Sequence, residues 1–207
     1  MPSSQNGWPL SQPNARTRWT MPQITGSVLA GPVWVVLFNL IVRFADRVEP
    51  VQRTKSWGYS YRRIAGSSKW SNHASATAVD LNAPAHPAGR KGTFTKTQYA
   101  TIKAILGELG GVVRHGEVFS DGMHFEIAPK TSRAEVTKVA TRLLQARLVA
   151  HGHDLGDYGP RKDGVDGVRG DKTDAAVKAF QVAHDLDDDG IDGPKTWAAL
   201  ITTPAKE

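Results

Sequence analysis

The sequence predicts an α+β protein in which a small antiparallel sheet is backed by helices and followed by a small all-α domain of three helices. Three observations carry this. Residues 78–82 and 123–127 alternate with the period of a strand, while residues 32–48 and 95–109 repeat apolar side chains at helical spacing. Beyond Pro129 the pattern is helical throughout and contains an internal repeat. The domains expected are residues 1–130 and 131–207.

Residues 1–27 are rich in Pro, Ser, Asn and Gln and read as an extended lead-in, packed through Trp8 and Trp19. The helix over 32–48 starts on a proline and ends among Arg43, Asp46, Arg47 and Glu49. Pro32, Asn39 and Arg43 interrupt the apolar run, which barely reaches the roughly 20 residues a membrane span needs, so a buried helix is expected. In residues 78–82, Val79 and Leu81 are assigned to the core, with Ala78, Asp80 and Asn82 facing the other way. The helix over 95–109 carries Tyr99, Ile102, Ile105 and Leu106 on one face and stops at Gly110-Gly111. In residues 123–127, Met123, Phe125 and Ile127 are the core set, and His124 shares the opposite face with Glu126.

In the second half, Val136, Val139, Ala140, Leu143, Leu144 and Leu148 form the stripe of an amphipathic helix. Asp166-Gly167-Val168-Arg169-Gly170-Asp171-Lys172-Thr173 is then echoed by Asp189-Gly190-Ile191-Asp192-Gly193-Pro194-Lys195-Thr196, each copy leading into an Ala-rich helix. Thr173 and Thr196 are expected to cap those helices. Asp185-x-Asp187-x-Asp189-Gly190 matches the start of a calcium loop, but position twelve is Thr196 rather than the bidentate Glu such loops use.

Charge divides with the pattern. Residues 1–130 hold 15 Lys+Arg against 7 Asp+Glu, and residues 131–207 hold 11 against 13. A basic first half suits an anionic partner such as a cell wall, an acidic membrane surface or nucleic acid. The nucleic-acid reading rests on charge alone, with no recognition motif behind it. With no Cys in the chain, disulfides, thiolate metal sites and a Cys nucleophile are excluded. The N-terminus lacks the basic start and apolar core of a signal peptide, so no Sec-type export route is expected from it. Stable membrane insertion is not expected, and a monomer is.

His73 and Asp80 lie seven residues apart with small residues between them, and His124 opens the second strand just after Gly122. Two imidazoles and a carboxylate form a three-ligand zinc set with one position left open, as hydrolysis requires. Asp121, three residues before His124, is the nearest candidate base. Arg62 or Arg63 is placed to stabilise an oxyanion. A structural reading, with both histidines merely hydrogen-bonded, stands beside this one on spacing alone.

The motifs Trp57-Gly58-Tyr59-Ser60-Tyr61-Arg62, Gly66-Ser67-Ser68, Ser71-x-His73-x6-Asp80 and Asp121-x-x-His124 resemble the M15 zinc peptidases over roughly residues 7–128. That resemblance implies that His73, Asp80 and His124 bind Zn2+, that Asp121 is the catalytic base and that Arg62 stabilises the transition state. Ser71, which opens the first motif, and Glu126, which shares the face of His124, are placed as partners behind the ligands. Two positions depart from the family pattern: Ala76 where glycine is frequent, which would be strained at positive φ, and His115 where tryptophan is common. Residues 136–200 resemble the three-helix peptidoglycan-binding domain, with Phe180 and Trp197 read as core.

Together these resemblances imply an endolysin-type zinc peptidase, made in a host cytoplasm and released to the wall through holin-type membrane holes, whose partner is bacterial peptidoglycan and which cleaves between L-alanine and D-glutamate. The alternatives are a D-alanyl-D-alanine carboxypeptidase of wall turnover and a non-catalytic wall-binding or structural protein. An intact ligand set argues against the last.

Overall fold

The computed structural model describes residues 2–204. It divides into two compact units, residues 1–132 and 133–207.

The first unit is α+β. Pro32 and the positive φ of Gly31 start the helix α1, Pro32–Arg47, whose apolar surface is buried almost all round, from Val33 to Ile41 and again at Phe44. The helix α2, Lys96–Glu108, begins at a capping box in which the Thr95 hydroxyl accepts from Gln98 N and Gln98 Oε1 accepts from Thr95 N. It stops where Gly110 and Gly111 take positive φ. Arg43 and Arg47 of α1 both reach Glu108 at the end of α2, an exposed cluster that contributes little stability.

The sheet behind the site has three antiparallel strands, Ala78–Asp80, Val113–His115 and His124–Ile127, with the last in the centre. Its register sets Asp80 opposite His124, and Ala78 and Arg114 on either side of Glu126. Val79, Phe125 and His115 line the other face. There the Phe125 ring stacks on His115 at 4.5 Å and meets Phe44 edge-on at 5.7 Å. Both faces are buried, so the polar face is as much interior as the apolar one.

Two elements depart from the sequence expectation. The lead-in contains a short antiparallel hairpin, Arg18–Thr20 paired with Ser27–Leu29, and Trp19 meets Trp34 of α1 edge-on at 6.0 Å. The strand Val113–His115 was not visible in the pattern. It is three residues long and begins at Val113, just beyond the glycine turn at Gly110-Gly111, too short for a period of two to register.

The second unit has three helices, Arg133–Ala150, Asp171–Ala183 and Pro194–Thr202. Phe180 and Trp197 are core residues, at 1% and 0% exposure. The repeated loops are built alike. Gln145 Oε1 accepts from the N–H groups of Asp166 and Gly167, while its Nε2 donates to Asp166 Oδ1 and to Val168 O. Gln181 repeats this with Gly190 N, Asp189 Oδ1 and Ile191 O. Thr173 and Thr196 are not the caps the sequence suggested. Gly170 and Gly193 hold those positions, and each threonine hydroxyl lies one turn inside, accepting from the glutamine of its own loop. Asp189, the third acid of the apparent calcium loop, spends its Oδ1 on Ile191 N and Gln181.

No helix among the described residues is long and apolar enough to cross a membrane.

Candidate metal centre

The segment from Ser71 to Thr77 is a chain of tight turns whose interior polar groups satisfy one another. Ala74 N donates to Ser71 O, Ala76 N to His73 O and Thr77 N to Asn72 O. Ala76 has φ +58, the left-handed conformation that disfavours a side chain by roughly 1–2 kcal/mol. The strain that a glycine would avoid is therefore present. Its methyl is fully buried, and Leu29 N donates to its carbonyl, so surrounding structure holds the turn in place. That turn delivers His73 on one side and strand Ala78–Asp80 on the other.

His73, Asp80 and His124 are 1%, 1% and 8% exposed. His73 Nε2 lies 3.2 Å from Asp80 Oδ1 and 3.2 Å from His124 Nδ1, and His124 Nδ1 lies 2.9 Å from Asp80 Oδ1. Donors about 2.0–2.2 Å from a tetrahedral zinc ion are separated by about 3.3–3.5 Å, so this triangle is a slightly contracted face of such a polyhedron. Among the described residues this is the only group of three or more His, Cys, Asp or Glu with that geometry.

The outward nitrogens fix which atoms face inward. His73 Nδ1 is 2.7 Å from Gly58 O, a carbonyl that only accepts, so Nδ1 carries the hydrogen and Nε2 turns its lone pair inward. His124 Nε2 is 2.9 Å from Glu126 Oε2, which leaves Nδ1 facing Asp80. Glu126 is in turn held by Asn72 Nδ2 and by a two-pronged contact from Arg114, whose Nε lies 2.9 Å away. Hydrogen bonding behind a metal-binding imidazole in this way orients the ring and raises its basicity. Glu126→Gln is accordingly expected to weaken Zn2+ affinity by about 10- to 100-fold without removing a ligand, measured by competition with a chromophoric chelator. Unchanged affinity would reduce Glu126 to a packing role.

Ser71 is buried and makes a backbone contact, its Oγ accepting from His73 N at 3.3 Å, so it steadies the His73 turn and not the imidazole. Asp121 is half-buried. Its Oδ1 is buried, and among the described residues nothing donates to it. Burial pushes the Asp121 carboxyl above its ordinary value, against opposing pulls from His124, His73 and Arg62. The loop carrying it is pressed onto Gly116, where an added Cβ would lie 2.3 Å from Asp121 O and 3.0 Å from His124 Cβ. Only glycine fits there.

Of the two candidate arginines, Arg63 is engaged elsewhere, with its guanidinium 4.6 Å from the centre of the Trp70 ring and in contact with Ser68 O. Arg62 is exposed, and its charge acts on Asp121. His115 faces away from the centre, stacked on Phe125, and its Nε2 donates to Gly122 O at 2.7 Å. Burial holds its pKa low, which suits a neutral donor pinning the turn between Asp121 and His124. Asn72 and Arg114 escaped sequence reading because each finds Glu126 only through the folded sheet. Phe119, 46% exposed, brings its ring centre to 5.9 Å from that of His124 and forms a rim beside the cluster.

Residues 137–200 match the model of a family described as a putative peptidoglycan binding domain. A probable N-acetylmuramoyl-L-alanine amidase of Bacillus licheniformis is 37% identical over 82 residues, 40% of this chain and 22% of that protein. The N-acetylmuramoyl-L-alanine amidase CwlL of the same organism is 50% identical over 46 residues, 22% of this chain and 13% of the relative. The chain thus spans less than a quarter of the length of either relative. No solved structure matches the chain.

Proposed function

We propose that this chain is a zinc-dependent hydrolase of amide bonds in the peptide stems of bacterial peptidoglycan, held on the wall by its second unit. One observation carries the reading: three inward-facing donors at slightly less than tetrahedral spacing, near a buried carboxylate oxygen that has no partner among the described residues. The match of residues 137–200 supplies the wall as the setting. The second unit raises the local concentration of substrate without taking part in the chemistry.

Zn2+ held by His73 Nε2, Asp80 Oδ1 and His124 Nδ1 would supply Lewis-acid activation of water and polarisation of the scissile carbonyl. Asp121 Oδ1 accepts the proton of the attacking water as oxygen bonds to the amide carbon, then delivers it to the departing nitrogen as the C–N bond breaks. Arg62, a cation, stabilises the negative charge that collects on the carbonyl oxygen. Glu126 and the Gly58 carbonyl hold the two imidazoles in the tautomers that keep their lone pairs inward.

The bond proposed is that between L-alanine and D-glutamate, following the M15-like motifs. A second reading places the cut one bond earlier, between N-acetylmuramic acid and L-alanine, and is favoured by the names of both relatives. Purified peptidoglycan digested with the Zn2+-loaded protein, with and without chelator, separates them by mass spectrometry of the products. New D-glutamate amino termini are expected. New L-alanine amino termini would establish the amidase reading, release of D-alanine alone the carboxypeptidase reading, and absence of cleavage would overturn the hydrolase.

A further inference from the structure

The two repeats of the second unit share a frame, and subtracting one from the other isolates what only the first has. Both contain a glutamine bonded to an Asp-Gly turn, a threonine one turn into the next helix, and an exposed β-branched residue, Val168 at 65% and Ile191 at 56%. These common parts build the loops. Only the first repeat is preceded by a long segment between its helices, residues 151–170, whereas ten residues, 184–193, suffice in the second.

That extra segment walls a groove of about 380 Å³ whose lining includes Leu155, Tyr158, Asp166, Val168, Asp171 and Lys172. The wall is pinned. Asp154 Oδ1 accepts from Gly156 N at 2.7 Å, Gly164 N donates to Tyr158 O at 2.9 Å, and Gly164 is packed so closely on Leu155 that a Cβ would lie 2.4 Å from the Leu155 Cβ. Yet the Tyr158 side chain itself is 62% exposed. A Cβ on Gly156 would meet Lys172 Nζ at 3.0 Å and the Tyr158 ring at 3.3 Å, so the ammonium and the ring stand side by side over that glycine. No carboxylate among the described residues pairs with Lys172.

We propose that this groove is the wall-binding site, and that it takes an N-acetylated sugar together with a carboxylate of the peptide stem attached to it. The inference rests on the wall as the partner of this unit, as proposed above. An exposed tyrosine ring offers a flat face for the C–H side of a pyranose. Leu155 and Val168 supply apolar walls for an acetyl methyl, and Lys172 an unpaired cation for the acid. Because the segment is already fixed by its own hydrogen bonds, little ordering cost opposes binding.

The test uses the full chain with chelator present, so that the wall is not digested during the measurement. Co-sedimentation with purified sacculi is expected to weaken by about tenfold for Tyr158→Ala and to fall further in Lys172→Ala at low salt, with Ile191→Ala as the matched control in the other repeat. A soluble disaccharide peptide prepared from the same walls is expected to shift amide resonances of residues 155–172, and chitotriose, which lacks the acid, to bind more weakly. Sedimentation of the parent protein undiminished by Tyr158→Ala, or diminished equally by Ile191→Ala, overturns the groove while leaving wall binding intact. Failure of the parent protein to sediment overturns both.

Discussion

Replacing Asp121 with asparagine is expected to lower peptidoglycan hydrolysis by about 10²- to 10⁴-fold while leaving Zn2+ content unchanged. The substitution keeps the shape of the side chain and removes only its capacity to take a proton. Asp121 is outside the ligand triangle, so the three inward donors remain. Its Oδ1 has no hydrogen-bond donor among the described residues, so the fold loses no bond there. Stability is expected to move in the opposite direction to activity. Burial makes the folded protein bind the Asp121 proton more tightly than the unfolded chain does, so stability falls as pH rises above the ordinary aspartate range and the group ionises. An amide escapes that cost. In metal-stripped samples Asp121→Asn is therefore expected to melt above the parent at neutral pH and to converge with it only as pH falls to the ordinary aspartate value and below, as followed by calorimetry. A variant that kept its activity would remove Asp121 from the reaction. One that lost activity together with its metal would make it part of the binding site instead.

The legibility of this site in the sequence follows from how local each interaction is. His124 and Glu126 share a face because strands alternate, and the same rule put Asp80 off the apolar face, so a period of two was enough to place them. The pairing of Asp80 with His124 is a matter of register across 44 residues, and here the motif spacing, not periodicity, carried the expectation. Arg114 lies on a strand of only three residues, and its contact with Glu126 exists only because that strand pairs with His124–Ile127. Asn72 reaches the same carboxylate across 54 residues from within a turn. Neither carries a local mark. Ala76 shows the converse: the question was posed by its residue type, but the answer, a positive φ, depends on the burial and bonding that hold it. In the second unit the repeated Asp-Gly-x-x-Gly-x-x-Thr pattern was plain. Its threonines do not cap the helices, because a glycine serves as the cap in each copy and leaves the hydroxyl free for the glutamine behind it.

Removal of metal is expected to invert the pH dependence of stability around His124. Burial alone would depress its pKa, but hydrogen bonds to Asp80 and Glu126 outweigh burial and push it up to about 9. The same contacts hold the carboxyls of Asp80 and Glu126 below their ordinary values, against the opposing effect of burial. In the chelated protein the His124 cation therefore binds between two carboxylates. The stabilisation is fully present below the unfolded histidine value of about 6.5 and is lost as pH rises through about 9. Asp80 and Glu126 act at the other end, their contribution lost as pH falls below the ordinary carboxylate range through their folded values. Zn2+ must displace the His124 proton, so its affinity is expected to rise across the alkaline window, releasing up to one proton from this residue. Titration calorimetry in two buffers of different ionisation enthalpy counts that proton. Asp80→Asn is expected to cost more metal affinity than the about 10- to 100-fold assigned to Glu126→Gln, since it replaces a charged ligand and not a residue behind one. It also leaves His124 with Glu126 as its remaining hydrogen-bonded carboxylate, so the chelated variant is expected to lose its stability advantage at lower pH than the parent. Zn2+ binding with no proton release, combined with an unshifted melting profile in Asp80→Asn, would separate these histidines from any metal.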